Sequence, residues 1–369
     1  MSGLIPRSAF VGLDYVTHFA TGGEAPVLAS NIAAVNRFFL DKGTGTPARA
    51  RMHATAQTAR ARLAKLLNGK AEDIALLWNA TAGLHAVAMG MDWRDGDNVV
   101  VAASEFPSVL HVWQANGVEL NRVGTQPIVT LEEIRAAVNA RTRAIVVSHV
   151  SYLTGARSDL ASLREIADRV DARLIVDASH ALGVVAVDGA LCDAVVSCCY
   201  KWMYGTHGVS VFYVNSARWP ELQPKAVGWN AVVPEPDWTR RESFELKPTM
   251  ERFEGGNPSY MNIYYLENAL KTLDEVGAAN IEAHVLDVGG ELHARLERLG
   301  VPLLTPRDRA QRAGNISIAT DRSDVLEAYL RERSVLTWGG DGRLRISVHA
   351  HNDLQDVERL VDELARLAM

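Results

Sequence analysis

The chain has 369 residues, of which 48% are hydrophobic and 22% are charged, a composition typical of a soluble globular protein of about two domains. Its formal net charge of −6 argues against a nucleic-acid partner, because such proteins rely on a basic surface. No stretch approaches the roughly 18 consecutive apolar residues of a membrane span, and residues 1–23 lack the apolar segment of a secretory signal. We therefore expect a cytoplasmic protein with no membrane partner.

Strand and helix signals alternate through the middle third of the chain and through the segments upstream of it from residue 73. Residues 73–91 predict a strand, a turn and a helix, and Ser158 and Asp159 are typical N-caps for a helix over 158–172. Strands separated by helices pair in parallel, and ligands bind such sheets at the carboxyl ends of the strands. Further buried strands are predicted over 97–106, 144–150, 173–179, 193–199 and 208–214.

The last third of the chain has a different pattern. Residues 219–258 contain six prolines and no clear periodicity, which predicts a long functional loop between two domains. The remaining segments predict a smaller α+β domain. They comprise amphipathic helices over 260–277 and 280–300, short strands over 315–319, 334–338 and 343–350, and a final helix over 353–369.

The cysteines predict neither disulfides nor a metal site. Cys192, Cys198 and Cys199 are odd in number, lie in one short segment and lack a zinc-ligand spacing. The simplest interpretation is that they are small buried residues of a strand.

Four residues follow predicted strands: Thr81, Phe106, Asp177 and Lys201. Each of them, considered alone, has an ordinary structural explanation. In the order given, these are a helix cap, a packing residue, a turn carboxylate and an exposed lysine. Together they match what a pyridoxal phosphate enzyme requires. Such an enzyme needs a lysine amine for the cofactor aldehyde, a carboxylate for the ring nitrogen, a helix N-terminus for the phosphate and an aromatic face for the ring.

Longer segments carry a family resemblance. They are the motifs HVSYLTG, DASHALG and YKWMYG and, nearer the C-terminus, FEGGNPSYMNIYYLENAL and RLRISVHAHN. These motifs resemble the class V aminotransferases of fold-type I. That family includes cysteine desulfurases, isopenicillin N epimerase-like proteins and kynureninases, and the motifs are most similar to the latter two. The resemblance implies an α/β fold with a mainly parallel seven-stranded sheet flanked by helices. This large domain would span residues 20–260, and residues 1–19 and 261–369 would form a smaller α+β domain.

The resemblance also implies residues that hold pyridoxal phosphate. Lys201 would bind the cofactor covalently, Asp177 would pair with its ring nitrogen and His180 would contact its ring hydroxyl. Phe106 would stack on the ring where desulfurases have histidine, and Tyr152 stands where they have asparagine. The residues expected at the phosphate are Ala80, Thr81, Ala82 and Tyr200.

Other matching residues concern the partner subunit and the substrate. Asn257 matches a position that reaches the phosphate in the neighbouring subunit, which implies a homodimer with shared active sites. Arg345 would bind the carboxylate of the substrate. Asn352 and Trp338 are further expected substrate-binding residues, and Trp229 and Trp238 are candidates for lining the pocket.

The reaction type stays open at this level. Removal of the Cα proton from an α-amino acid bound to the cofactor is common to amino-group transfer, β-elimination and epimerisation. Desulfurases use a loop cysteine shortly before the C-terminal arginine, whereas residues 334–347 contain no cysteine. A C–S lyase, an epimerase, a kynureninase-like hydrolase and an inactive cofactor-binding protein remain alternatives. A nicotinamide dehydrogenase would need a Gly-x-Gly-x-x-Gly turn, which WNATAGLH does not supply.

Overall fold

The computed structural model describes residues 2–234 and 243–368. The α-helices in this part of the chain are α1 (Ser30–Gly43), α2 (Ala48–Leu66), α3 (Ala80–Gly90), α4 (Pro107–Ala115), α5 (Leu131–Ala137), α6 (Leu160–Asp168), α7 (Tyr260–Val276), α8 (Ala278–Arg298), α9 (Ser323–Glu332) and α10 (Leu354–Ala368). The strands are β1 (Thr17–His18), β2 (Ile74–Leu77), β3 (Asn98–Ala102), β4 (Glu119–Val123), β5 (Thr142–Ser148), β6 (Arg173–Asp177), β7 (Ala194–Cys198), β8 (Ser210–Val214), β9 (Asn315–Ala319), β10 (Val335–Leu336), β11 (Trp338–Gly340) and β12 (Arg343–Ser347).

The large sheet has seven strands in the order β2-β8-β7-β6-β5-β3-β4. The run from β7 to β4 is parallel, and β8 pairs antiparallel with both β7 and β2. Strands β2, β7 and β8 are buried along their whole length, because helices cover both faces of the sheet. The predicted mainly parallel seven-stranded sheet is therefore confirmed.

A smaller unit is built on the antiparallel sheet β11-β12-β9. Helices α8 and α10 pack beside this sheet, where Leu292, Ile316 and Leu360 share one apolar cluster. Strand β1, near the N-terminus, pairs with β10, so the first residues of the chain join the C-terminal part. This pairing is in keeping with the predicted assignment of residues 1–19 to the smaller domain, although the domain boundary stays a prediction.

Most predicted elements match the observed ones, with three differences. Strand β4 has the sequence ELNRV and lies at the edge of the sheet, so it lacks the apolar signal of the central strands. The predicted strand over 334–338 is divided between β10 and β11, which belong to different sheets. The described part of 219–258 is anchored on the core, because Leu222, Met250 and Phe253 belong to the apolar cluster beside the large sheet.

Two kinds of structural feature are absent from residues 2–234 and 243–368. These residues contain no helix that is both long and apolar enough to cross a membrane. They also hold no group of three or more His, Cys, Asp or Glu side chains arranged for a metal ion. The three cysteines are buried and unpaired, as the sequence predicts.

Buried histidines make acid sensitivity an expected property of this fold. Burial lowers the pKa of His18 and His149 to about 4 and that of His349 to about 3. Below about pH 6.5 these histidines bind protons in the unfolded chain but not in the folded chain. The free energy of unfolding therefore falls as the pH decreases from 6.5 towards 4. Each such histidine costs about 1.4 kcal/mol per pH unit in that window.

We therefore expect the midpoint of thermal unfolding to drop steeply between pH 6.5 and 4.5 and to change little between pH 8 and 7. The exposed His53 provides a control, since His53→Gln should leave this profile unchanged. An unfolding temperature that is constant from pH 7 to 5 would contradict the burial of these rings.

Candidate active site

Polar side chains converge where the central parallel strands end. Ser148, Asp177 and Cys198 are the last residues of β5, β6 and β7, and Asp177 is in register with Ser148. The helices α3 and α4 begin at the same edge of the sheet. Together these elements enclose a cavity, which is the position at which parallel sheets bind ligands. Its lining consists of Asn79, Ala80, Thr81, Leu84, Phe106, Ser108, Ser148, Val150, Tyr152, Asp177, Ser179, His180, Cys198, Tyr200 and Lys201.

Among the residues that the structure describes, Lys201 is the only lysine that lines this cavity, and it is 9% exposed. It follows β7 by three residues. Its Nζ lies 3.2 Å from Nε2 of His180 and over two aromatic rings, 5.5 Å from the centre of Tyr200 and 5.9 Å from that of Phe106. A buried amine surrounded by ring faces and a neutral imidazole is a nucleophile placed in the cavity.

Asp177 brings a carboxylate to the same cavity. Its Oδ1 accepts a hydrogen bond of 2.8 Å from the backbone N–H of Ser179, which fixes the side chain at the strand end. Burial raises the pKa of Asp177, and the hydrogen bonds from Ser179 and the charge of Lys201 offset part of that rise. A buried carboxylate gains by pairing with a protonated nitrogen, so the site favours a cationic ligand atom here.

His180 presents one defined nitrogen to the cavity. Its Nδ1 accepts hydrogen bonds from Trp202 Nε1, at 3.4 Å, and Asn315 Nδ2, at 2.9 Å. Burial, followed by the charges of Lys201 and two arginines, lowers the pKa of His180 well below its usual value, so the ring is neutral. The proton of the neutral ring therefore lies on Nε2, which is a hydrogen-bond donor facing Lys201.

The N-terminus of α3 forms an anion cradle at the rim. Asn79 caps this eleven-residue helix by accepting from the backbone N–H of Ala82, at 2.8 Å. Thr81 Oγ1 lies 3.0 Å from Ser108 Oγ, so two hydroxyls lie together beside the first turn of the helix, whose first backbone N–H groups have no acceptor within the helix. A helix N-terminus with neighbouring hydroxyls is a typical phosphate site.

Tyr200 adds a further hydroxyl to the lining of this cavity. Its ring stacks on His207, with 4.2 Å between ring centres and 20° between ring planes. Burial raises the pKa of Tyr200, which keeps its hydroxyl protonated and able to donate. The predicted phosphate residues Ala80, Thr81 and Tyr200 are thus brought together, whereas Ala82 contributes its N–H to the helix cap.

Phe106 and Tyr152 form an aromatic wall. Their ring centres are 5.3 Å apart and their planes are nearly perpendicular, at 85°. Glu105, which the sequence analysis did not single out, holds this wall in place. It accepts from the backbone and hydroxyl of Ser148 at 2.6 and 2.5 Å, and so ties the Phe106 segment to the end of β5. Its only signal in the sequence was its place beside Phe106 at a strand end.

Arg345 lies on β12 with a second arginine, Arg343, that the sequence analysis did not single out. Burial, followed by the charge of Arg343, lowers the pKa of Arg345 to about 9. Trp338 is opposite Arg345 in the antiparallel pair β11–β12, and its ring centre is 4.8 Å from Cζ of Arg345. Arg345 Nη1 donates to the carbonyl oxygen of Tyr152, at 3.3 Å, which links the strand to the aromatic wall.

Other predicted site residues lie elsewhere. Asn352 is fully buried, and its amide contacts His18, His349 and Asp356, so its position favours a structural role before α10 over contact with substrate. Asn257 is exposed and does not line the cavity of its own chain. Trp229 is 54% exposed, and Trp238 lies outside the described residues.

The residues present fit pyridoxal phosphate. The cavity offers an amine for the aldehyde, a buried carboxylate for the ring nitrogen and a neutral donor for the ring hydroxyl. The helix N-terminus and its hydroxyls suit the phosphate. The buried Nε atom of Arg345 has no hydrogen-bond partner among the described residues, so it is available to a carboxylate.

Solved structures share this fold over nearly the whole chain. The apo cysteine desulfurase from Thermococcus onnurineus NA1 matches with a TM-score of 0.87 and 20% identity, covering 100% of this chain and 99% of that one. A mutant of the cystine C–S lyase C-DES, with glycine covalently linked to its pyridoxal phosphate cofactor, matches with a TM-score of 0.89 and 21% identity, covering 98% and 99%. These likenesses confirm the fold class.

Sequence relatives and a family model agree with one another. An uncharacterized aminotransferase, YcbU of Bacillus subtilis, is 25% identical over 83% of this chain and 82% of its own length. A cysteine desulfurase of Salmonella newport is 27% identical over 84% and 82%. The model of the class V aminotransferases matches residues 34–360. The chain therefore belongs to the class V aminotransferase family, as its motifs predicted.

Proposed function

We propose that the protein is a pyridoxal-phosphate-dependent enzyme that acts on an α-amino acid by amino-group transfer or β-elimination. One observation carries this proposal: Lys201 and Asp177 line one cavity together with the anion cradle at the start of α3. Pyridoxal phosphate, when bound, supplies an electron sink for the negative charge that develops at Cα of the amino acid.

The residues of the chain then have distinct tasks. Asp177 would hold a proton at the ring nitrogen, and this cation would in turn keep the buried carboxylate ionised. Phe106 would cover a ring face and exclude water from it. Arg345 orients the substrate carboxylate, which places the Cα–H bond near Lys201. The amine of Lys201, when it is not joined to the cofactor, would accept the proton from Cα and hold it as an ammonium group.

The cysteine positions bear on the type of reaction. All three cysteines are buried and lie at 192–199, whereas the residues 334–347 before and around Arg345 contain none. A persulfide relay through a loop thiol therefore has no acceptor in this chain. This favours a reaction in which products leave directly, such as amino-group transfer or elimination, including C–S cleavage. Epimerisation, kynureninase-like hydrolysis and inactive cofactor binding are the remaining alternatives.

A homodimer with shared active sites is part of the proposal. Asn257 is exposed, so it is available to a neighbouring subunit. Helix α1 also exposes Ile32 at 58%, Phe39 at 55% and Leu40 at 77%, an apolar surface that is typical of an interface between subunits. We place the enzyme in the cytoplasm, on the sequence features described above.

The reaction type is tested by incubating the cofactor-loaded protein with a panel of α-amino acids. Formation of a keto acid only when an amino-group acceptor is present indicates amino-group transfer. Formation of pyruvate or sulfide without an acceptor indicates elimination. Deuterium exchange at Cα without any other product indicates epimerisation or abortive proton removal. Absence of all these signals would leave an inactive cofactor-binding protein. The Lys201→Ala variant is the control, because every signal that depends on this site must disappear in it.

A further inference from the structure

Two buried arginines lie side by side at the proposed substrate site. Arg343 and Arg345 alternate with Leu344 on β12, so both side chains leave the same face of the sheet. Arg343 is 0% exposed and Arg345 is 4% exposed. The Nε atom of each is buried and has no hydrogen-bond partner among the described residues.

Shared neighbours hold the two guanidinium groups together. The carbonyl oxygen of Tyr152 accepts from Arg343 Nη2 at 3.4 Å and from Arg345 Nη1 at 3.3 Å. The two nitrogens can therefore be no further apart than the sum of these distances. The Trp338 ring centre lies 4.6 Å from Cζ of Arg343 and 4.8 Å from that of Arg345.

Few carboxylates balance the charge of the Arg343 and Arg345 guanidinium groups. Among the described residues, the only carboxylate in contact with either group is Asp341, 3.3 Å from Arg343 Nη1. Asp341 is 62% exposed by its side chain, so it is a weak partner for a fully buried cation. Buried charges without good partners are costly, and two adjacent cations also repel each other. One substrate carboxylate on Arg345 would still leave Arg343 with only this exposed partner.

We propose that Arg343 binds a second acidic group, so that the substrate is an α-amino acid with a side-chain carboxylate. This inference rests on the proposed function, in which Arg345 binds the α-carboxylate. The close spacing of the two guanidinium groups limits the class to short acidic amino acids, in which the two carboxylates are separated by only two or three carbon atoms.

Asp341 occupies the place of that second carboxylate when no substrate is bound. It lies in the turn between β11 and β12, between Gly340 and Gly342, at a backbone φ of 47°. The rings of Tyr152 and Trp338 cover Arg343, with the Tyr152 ring centre 5.0 Å from Cζ. The substrate therefore reaches Arg343 by displacing the Asp341 carboxylate and moving this glycine-rich turn. The ion pair between Arg343 and Asp341 is then replaced by one between Arg343 and the second carboxylate of the substrate.

The test compares acids with their neutral amides of the same shape. The cofactor-loaded protein is titrated with L-glutamate and L-glutamine, and with L-aspartate and L-asparagine, while its visible absorption is followed. We expect an acid to bind about tenfold or more tightly than its amide, as for a hydrogen bond to a charged group. Arg343→Gln should remove that preference and leave the affinity for the amides nearly unchanged.

Further variants separate this role from a structural one. Asp341→Asn should raise the affinity for the acid and leave that for the amide unchanged, because a competing carboxylate is lost. Arg343→Lys retains the positive charge and replaces Arg343→Gln in the test if that variant does not fold. It should keep part of the preference for the acid over the amide. Arg366→Gln, on the exposed part of α10, is the matched control and should bind as the unaltered protein does.

A cofactor-free measurement distinguishes failure of this inference from failure of the proposed function. Calorimetry of the chain without cofactor should show tighter binding of glutarate than of its monoamide, and Arg343→Gln should abolish the difference. Equal affinity for acid and amide in the unaltered protein would overturn the inference, as would an equal loss of both in Arg343→Gln. If the chain never takes up pyridoxal phosphate, calorimetry still decides the role of Arg343.

Discussion

Lys201→Ala is expected to abolish turnover of any amino acid substrate, with kcat lower by about 10⁴-fold or more. The substitution removes both the amine that would carry the cofactor and the base that would move the proton at Cα. Nε2 of His180, 3.2 Å from Nζ, belongs to a neutral ring and carries its proton, so it cannot replace the lysine as a base. The measurement is single-turnover and steady-state kinetics on the best substrate of the panel.

A matched control separates this chemical effect from unfolding. Lys65 lies on α2, and its side chain is 68% exposed, so Lys65→Ala should retain full activity. Lys201→Ala should also unfold at a temperature close to that of the parent protein, since Lys201 lies beyond β7 and its substitution leaves the strand pairing of the sheet intact. Activity within tenfold of the parent in a well-folded Lys201→Ala protein would contradict the assigned role.

Asp177→Asn is the second substitution with a large expected effect. The amide no longer stabilises a proton on the ring nitrogen, so kcat should fall by roughly 10²–10³-fold, as for other preorganised electrostatic contacts. Burial raises the pKa of Asp177 in the cofactor-free chain, so cofactor uptake should weaken on the acid side, where this carboxylate is protonated before the ring nitrogen can pair with it. The variant should lose that pH dependence of cofactor affinity.

The control for this substitution is another carboxylate at a local turn. Asp159 caps α6 by accepting from the backbone of Ala161 and Ser162. Asparagine is about as good an N-cap as aspartate, so Asp159→Asn should have nearly normal activity and stability. A pH profile of cofactor affinity that is identical in Asp177→Asn and the parent protein would show that this carboxylate does not set it.

The sequence predicted the central sheet because its strands are buried on both faces. The segments that became β5, β7 and β8 contain uninterrupted apolar stretches over 144–147, 194–196 and 211–214, and these are visible in the sequence without knowledge of the tertiary structure. It also predicted the cavity, because Thr81, Phe106, Asp177 and Lys201 follow strand ends and parallel strands end at one edge. Strand β4 was missed, since its edge position tolerates the polar residues Glu119, Asn121 and Arg122.

The missing parts of the site depend on contacts that periodicity does not encode. Glu105 matters because its carboxylate reaches Ser148, which lies 43 residues away in the sequence. Arg343 matters because β11 folds back on β12 and places Trp338 against both arginines. A charged residue in a short strand has no distinctive pattern, so only the folded arrangement separates such an arginine from an ordinary surface residue.

The central claim is that Lys201 carries pyridoxal phosphate at the carboxyl edge of the large sheet. The most direct test is to load the protein with the cofactor, reduce it with borohydride and map the modified lysine by peptide mass spectrometry. The account predicts one modified peptide, that containing Lys201, and none in the same experiment on Lys201→Ala. Modification at a different lysine, or no modification of the loaded protein, would contradict it.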